Sequence, residues 1–137
     1  MNQKIADQIL EKQDEIAAEA VKQIYLKQHD LVKSYQEIHK SKSLRDTKYH
    51  LQYLAEAIAD DSIPLFLDYI DWVTVIMGNI NINHEDFIMN LQLISDAVKH
   101  QIDDDSFEVL DEYFKRSYEL IKSQHKKPAS RQVQICV

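Results

Sequence analysis

One glycine and two prolines in 137 residues constrain this chain more than any other feature. Strands and hairpins need frequent turn residues, and Gly78, Pro64 and Pro128 cannot supply them. The scarcity also excludes sites built on several glycines, such as phosphate-cradling loops and dinucleotide fingerprints. The chain must therefore fold as helices, and the apolar spacing agrees. Ile5, Ile9, Ile16 and Ala20 share a stripe, flanked by Ala6, Leu10, Ala17 and Ile24. This predicts a helix to about His29, with room for a break near its middle.

The rest of the chain divides in the same way. Asp30 is placed to cap a short helix through Leu31, Tyr35 and Ile38. Ser43-Leu44-Arg45-Asp46 reads as a capping box that opens a helix with Leu44, Thr47, Leu51, Leu54 and Ile58 inward. Asp60 to Pro64 is the clearest break, and Pro64 suits a first helical turn. The helix over 64–77 carries Leu65, Phe66, Tyr69, Ile70, Trp72, Val73, Ile76 and Met77, an apolar surface wide enough to be packed on several sides. Gly78-Asn79 is its expected C-cap. Asn83 restarts the chain ahead of Phe87, Leu91, Ile94, Val98 and Ile102. Asp103 opens a last helix with Phe107, Leu110, Phe114, Tyr118 and Ile121 inward, and Lys126-Lys127-Pro128 ends it. Six or so helices joined by short connectors make an all-α domain, either a globin-like packing at steep angles or an antiparallel bundle. The expected boundaries are one domain over 1–123 and a basic tail over 124–137.

Charge narrows the function. The formal net charge is -7, which disfavours general nucleic-acid binding. Residues 1–114 hold 10 Lys and Arg against 22 Asp and Glu, whereas residues 115–137 hold 6 against 1, so the body is acidic and the C-terminal stretch basic. Such a stretch either complements a helix C-terminus and is solvated, or docks on an acidic surface, its own or a partner's. Cys136 is alone, so no disulfide framework exists, and its place does not fit a prenylation box. No apolar run is long enough to span a membrane. The charged first twenty residues do not read as a signal peptide. A soluble protein of a reducing compartment, the cytoplasm, is the expectation.

No nucleophile set or metal-ligand spacing stands out among His29, His39, His50, His84, His100 and His125, so neither an enzyme nor a metal protein is expected. One constellation remains. Asp46, His50, Tyr53 and Ala57 are spaced four, three and four on one helical stripe beside the Leu51, Leu54 and Ile58 face. Asp46 could hydrogen-bond His50 at i,i+4 and keep it protonated, which favours an anion nearby. Tyr69 and Trp72, with Phe66 and Ile76, either fill the core or line a pocket with their polar tips inward. Leu91 and Ile94 would face them, with Asn90 as an edge donor. The bland alternative makes His50 and Tyr53 boundary residues with wetted tips.

The stretch Arg45-Asp46-Thr47-Lys48-Tyr49-His50-Leu51-Gln52-Tyr53-Leu54-Ala55-Glu56-Ala57, followed by Leu65-Phe66-Leu67-Asp68-Tyr69-Ile70-Asp71-Trp72, resembles the haem-free globin-like sensor domains of Bacillus sporulation histidine kinases, and their free-standing relatives, the sporulation inhibitory proteins. The resemblance covers roughly 1–123. It implies a dimeric globin-like fold without haem, holding a fatty acid where haem would sit and a halide such as chloride nearby. Carried onto this chain, ligand-binding candidates are Arg45, His50, Tyr53, Leu54, Ile58, Phe66, Tyr69, Trp72, Ile76, Leu91 and Ile94, with Leu51 beside them. A chain of 137 residues has no room for a kinase or output domain, so the implied role is a decoy that competes with a sporulation sensor histidine kinase for its signal. The alternatives are a ligand-free helical interaction module and, less favoured, a haem globin using His50 or His100. If the chain dimerises, Val109, Tyr113, Leu120, Met89 and Leu93 fall off the main core stripes and are the expected interface.

Overall fold

The structure, a computed structural model, describes residues 2–27 and 37–124. Among these residues the chain forms five helices: α1 Asn2–Lys27, α2 Glu37–Ala59, α3 Ile63–Asn79, α4 His84–Gln101 and α5 Asp104–Gln124. None is long and apolar enough to cross a membrane. The expected Asp30-capped helix and the Lys126-Lys127-Pro128 terminus lie outside the described residues, apart from Glu37 and Ile38, which belong to α2.

α1 packs chiefly along α2 and then on α4, while α3 lies against α5 and α5 against α4. Buried apolar residues from all five helices meet in one core. α1 is unbroken, and it buries Ile5, Ala6, Ile9, Ile16, Ala17, Ala20 and Val21. Three alanines and one valine among these seven let α1 approach its neighbours closely. Leu10 stands exposed at the edge of that stripe and Ile24 is half-buried, so the contact face is narrower than the sequence suggests.

The end of α3 differs from expectation, whereas α2 ends at the expected Asp60–Pro64 break. Both α2 and α3 end in the same six-residue closure. Ser62 N–H donates to the Ala57 carbonyl at 2.9 Å and Asp61 N–H to Ile58 at 3.1 Å. Ile82 N–H likewise donates to Met77 at 2.9 Å and Asn81 N–H to Gly78 at 3.1 Å. The left-handed residue this closure requires is Asp61 (φ 52°) in one case and Asn81 (φ 67°) in the other. Asp and Asn tolerate that conformation better than other side-chain-bearing residues, so Gly78 is not needed for it and stays helical. Ile82 then folds back into the core. The Ser43 capping box does not form either, because α2 is already helical from Glu37 and Ser43 sits in its second turn.

Three helix starts follow the sequence. Ser62 Oγ accepts from Leu65 N–H at 3.2 Å, with Pro64 in the first turn. Asn83 Oδ1 accepts from Asp86 N–H at 2.8 Å. Asp103 Oδ1 accepts from Ser106 N–H at 2.8 Å while its other oxygen accepts from the Ser106 hydroxyl. These hydrogen bonds to the charged form hold the Asp103 carboxyl below its ordinary pKa. The cap also ties in α1, because Gln8 donates to Ser106 Oγ at 3.1 Å.

Candidate functional site

α2 and α3 carry the chemistry-bearing residues, joined by a turn of three residues. His50 sits on the inner side of α2. Counting by helical turns explains why: Thr47, Leu54 and Ala57 stand at i−3, i+4 and i+7 from it, and all three are buried. Tyr69 occupies the matching inner position on α3. His50 Nδ1 and Tyr69 Oη share a hydrogen bond of 2.5 Å across the interface between the two helices. The His50 ring meets Tyr69 edge-on at 5.7 Å and Phe87 of α4 at 6.3 Å.

This geometry corrects the Asp46–His50 pairing. Asp46 lies at the surface next to Arg45, 3.5 Å away, and His50 takes its partner from the next helix instead. The electrostatic consequence reverses as well. His50 is 8% exposed, and burial without a carboxylate partner pushes its pKa down from 6.5 to about 4. The imidazole is therefore neutral at pH 7. Burial also raises the Tyr69 hydroxyl far above its ordinary value, helped by nearby Tyr53 and Asp46. The site is a neutral hydrogen-bonding pair in apolar surroundings, not a fixed positive charge.

On the outer side of Tyr69, Tyr53 stacks against the ring at 4.0 Å and 15°, and Trp72 leans on it at 6.4 Å. Phe66 packs on Tyr69 from within at 6.1 Å. Tyr53 is 43% exposed and Trp72 45%, and Leu65 and Tyr49 are also exposed. α3 is thus not packed all round, and it leaves an aromatic edge at the surface. Of the sequence candidates, His50, Leu54, Ile58, Phe66, Tyr69, Leu91 and Ile94 are buried. Ile76 is half-buried, whereas Tyr53 and Trp72 form the outer edge. Arg45 is exposed and stands apart from the inner pair.

Phe87 also belongs to the site. It reads as plain core in the sequence, yet it supplies one wall for His50. Its ring reaches His50 of α2 from the first turn of α4, a tertiary fact with no local signal. Two further buried polar atoms, Asn90 Oδ1 and Tyr113 Oη, have no hydrogen-bond partner among the described residues. His100 is exposed and bonded to Glu19 at 2.5 Å, so it does not reach the interior as an axial ligand would. Leu93 and Tyr113 are buried within the chain's own fold, which removes them from the expected interface; Val109 and Leu120 are half-buried and Met89 is exposed. Among the described residues no group of three or more His, Cys, Asp or Glu side chains is arranged to hold a metal ion.

The family model for phycobilisome proteins matches residues 2–120. The chain belongs to the phycobilisome protein family. That family has a globin-like, all-helical fold, and the five helices described above are an instance of it. The globin-like reading of the sequence therefore stands over the simple antiparallel bundle. No curated protein matches the chain. Within this phycobilisome-family fold, the His50–Tyr69 pair lies between two successive helices joined by a tight turn.

Proposed function

We propose that this chain is a haem-free sensor module that takes a fatty acid with its carboxyl group at the His50–Tyr69 pair and its alkyl chain along Leu54, Phe66, Leu91 and Ile94. The observation that carries this reading is a single hydrogen-bonding pair enclosed by apolar side chains, which suits a ligand with one polar end and a long apolar body. A neutral imidazole and a phenol carry two donor protons between them; one is used in the His50–Tyr69 hydrogen bond, and the other is left to donate to a carboxyl oxygen. A halide would use the same remaining donor of the pair, with the Trp72 indole N–H as a second. The resemblance of residues 45–57 and 65–72 to sporulation sensor domains gives the biological setting. There the protein acts as a decoy in the cytoplasm, works as a homodimer, and competes with a sensor histidine kinase for its signal. It catalyses no reaction in this reading and binds the signal by mass action.

The second reading is an interaction module with a filled core. It is favoured by the way His50 and Tyr69 satisfy one another, which leaves the pair no unmet hydrogen bond across the helix interface. Mass spectrometry of an organic-solvent extract of the purified protein separates the two. The sensor reading expects an equimolar fatty acid, and expects Tyr69→Phe to lose it while far-UV circular dichroism is unchanged. An extract without lipid from well-folded protein would favour the filled core, and bound haem would overturn both.

A further inference from the structure

The aromatic edge of α2 and α3 has an acidic border, and the described chain ends beside it. Asp68 lies one turn before Trp72 on α3 and is exposed; Glu56 stands one turn beyond Tyr53 on α2 and is also exposed. The last described residue, Gln124, donates a side-chain hydrogen bond to Asp71, the immediate neighbour of Trp72. The thirteen residues that follow contain Lys126, Lys127 and Arg131 and no carboxylate side chain. They close with Val133, Ile135 and Val137, apolar at every second position. A chain of that length can reach about 40 Å from its root when extended, far more than the span of a few helical turns.

We propose that the segment 125–137 folds back onto the outer edge of α3 and α2, its cations against Asp68 and Glu56 and its apolar end over Trp72 and Tyr53. Three observations converge on this occupant. The segment is rooted at the patch by the Gln124–Asp71 contact. Its charge is opposite to that of the patch border. Its alternating apolar residues match a surface whose large exposed side chains are aromatic. Tethering raises the effective concentration of such a segment at its site, so weak contacts suffice to cover it. The inference does not depend on what the His50–Tyr69 pair binds.

The chain carries its own reporters, since Trp72 is its single tryptophan and Cys136 its single cysteine. An acceptor dye on Cys136 of the full-length protein reads the separation through energy transfer from Trp72. The expected result is strong transfer that does not change with protein concentration. It should fall when Lys126, Lys127 and Arg131 are all changed to Glu, and return when Asp68→Lys and Glu56→Lys are added to that variant. It should also weaken in 1 M salt, where the Debye length shrinks to about 3 Å. Iodide quenching of unlabelled protein should rise in the triple variant, with circular dichroism confirming that the helices are intact. Equal transfer in wild type and triple variant overturns the proposal. So does transfer between a Cys136→Ser donor molecule and a labelled Trp72→Phe acceptor molecule, which would show the edge covered by a second copy.

Discussion

The α1 side of the molecule and the α2–α3 edge are built on opposite plans. α1 buries small and branched aliphatic side chains and keeps its polar contacts at the rim, where Lys48 meets Asp14 at 2.7 Å, Gln52 meets Gln13 at 2.8 Å and His100 meets Glu19 at 2.5 Å. The α2–α3 edge does the reverse. It buries a histidine and a tyrosine hydroxyl, and it leaves a tyrosine and a tryptophan in water. Rim ion pairs between exposed groups contribute little, typically about 0 to 1 kcal/mol, so α1 is held by packing. The α2–α3 edge is held partly by a hydrogen bond whose partners would be costly to leave unpaired. One region is thus arranged for stability, and the other carries the features of a site.

The sharpest way to break that contrast is to open a cavity on the α1 side. Ile16→Ala on α1 should destabilise the protein by about 2 to 5 kcal/mol, the usual range for truncating a buried isoleucine in a closely packed place. Urea denaturation at neutral pH measures it. A cost below about 1 kcal/mol would mean that α1 can collapse around the hole and is not the rigid side.

Acid should act on the other side. The folded-state pKa of His50 lies near 4, below its unfolded value of 6.5, so the unfolded chain takes up the proton first as pH falls. The stabilisation from a neutral buried His50 is complete above pH 6.5 and is lost between 6.5 and about 4. At 1.36 kcal/mol per pKa unit it amounts to about 3 kcal/mol. Denaturation midpoints at pH 7, 5.5 and 4 should show this slope in wild type, and His50→Gln should flatten it. An unchanged slope in His50→Gln would place the acid-sensitive group elsewhere.

Much of this contrast is legible in the sequence, although its central contact is not. The core stripes of Ile5–Ile9–Ile16–Ala20 and Phe87–Leu91–Ile94–Val98 are set by the 3.6-residue period, and they are buried as that period requires. The caps at Ser62, Asn83 and Asp103 follow from side chains that satisfy the first free N–H groups. What fails is the choice between two neighbours for one imidazole. His50 has Asp46 one turn away along its own helix and Tyr69 across the helix interface. Local spacing reveals only the first, whereas a position flanked by Thr47, Leu54 and Ala57 turns the ring inward to the second. The α3 end fails in a related way, because Asn81 does the work expected of Gly78.

The pair itself is tested by Tyr69→Phe, which removes one hydroxyl and keeps the ring against Tyr53 and Phe66. A buried imidazole nitrogen left without its partner should cost about 1 to 3 kcal/mol. The change should also move the midpoint of the His50 acid transition, which nuclear magnetic resonance of the ring protons reads directly. A Tyr69→Phe protein as stable as wild type would mean that the hydrogen bond only replaces one to water.

The smallest effect belongs to the outer edge, and its smallness is the informative part. Trp72→Ala removes the largest side chain in the molecule, yet nearly half of it already faces water. What is lost from the folded body is the burial of the covered part of the ring and its tilted contact with Tyr69, the latter worth about 0.5 to 1.5 kcal/mol for a well-formed aromatic pair. A stability change near the bottom of that range, measured on protein with the tail charges reversed, would show that Trp72 is displayed and not built in. A much larger cost in the unmodified chain than in the reversed one would mean that the tail's contact with Trp72 contributes to folding stability. The difference between the two costs is the coupling between tail and edge, read as a double-mutant cycle in the same denaturation experiment.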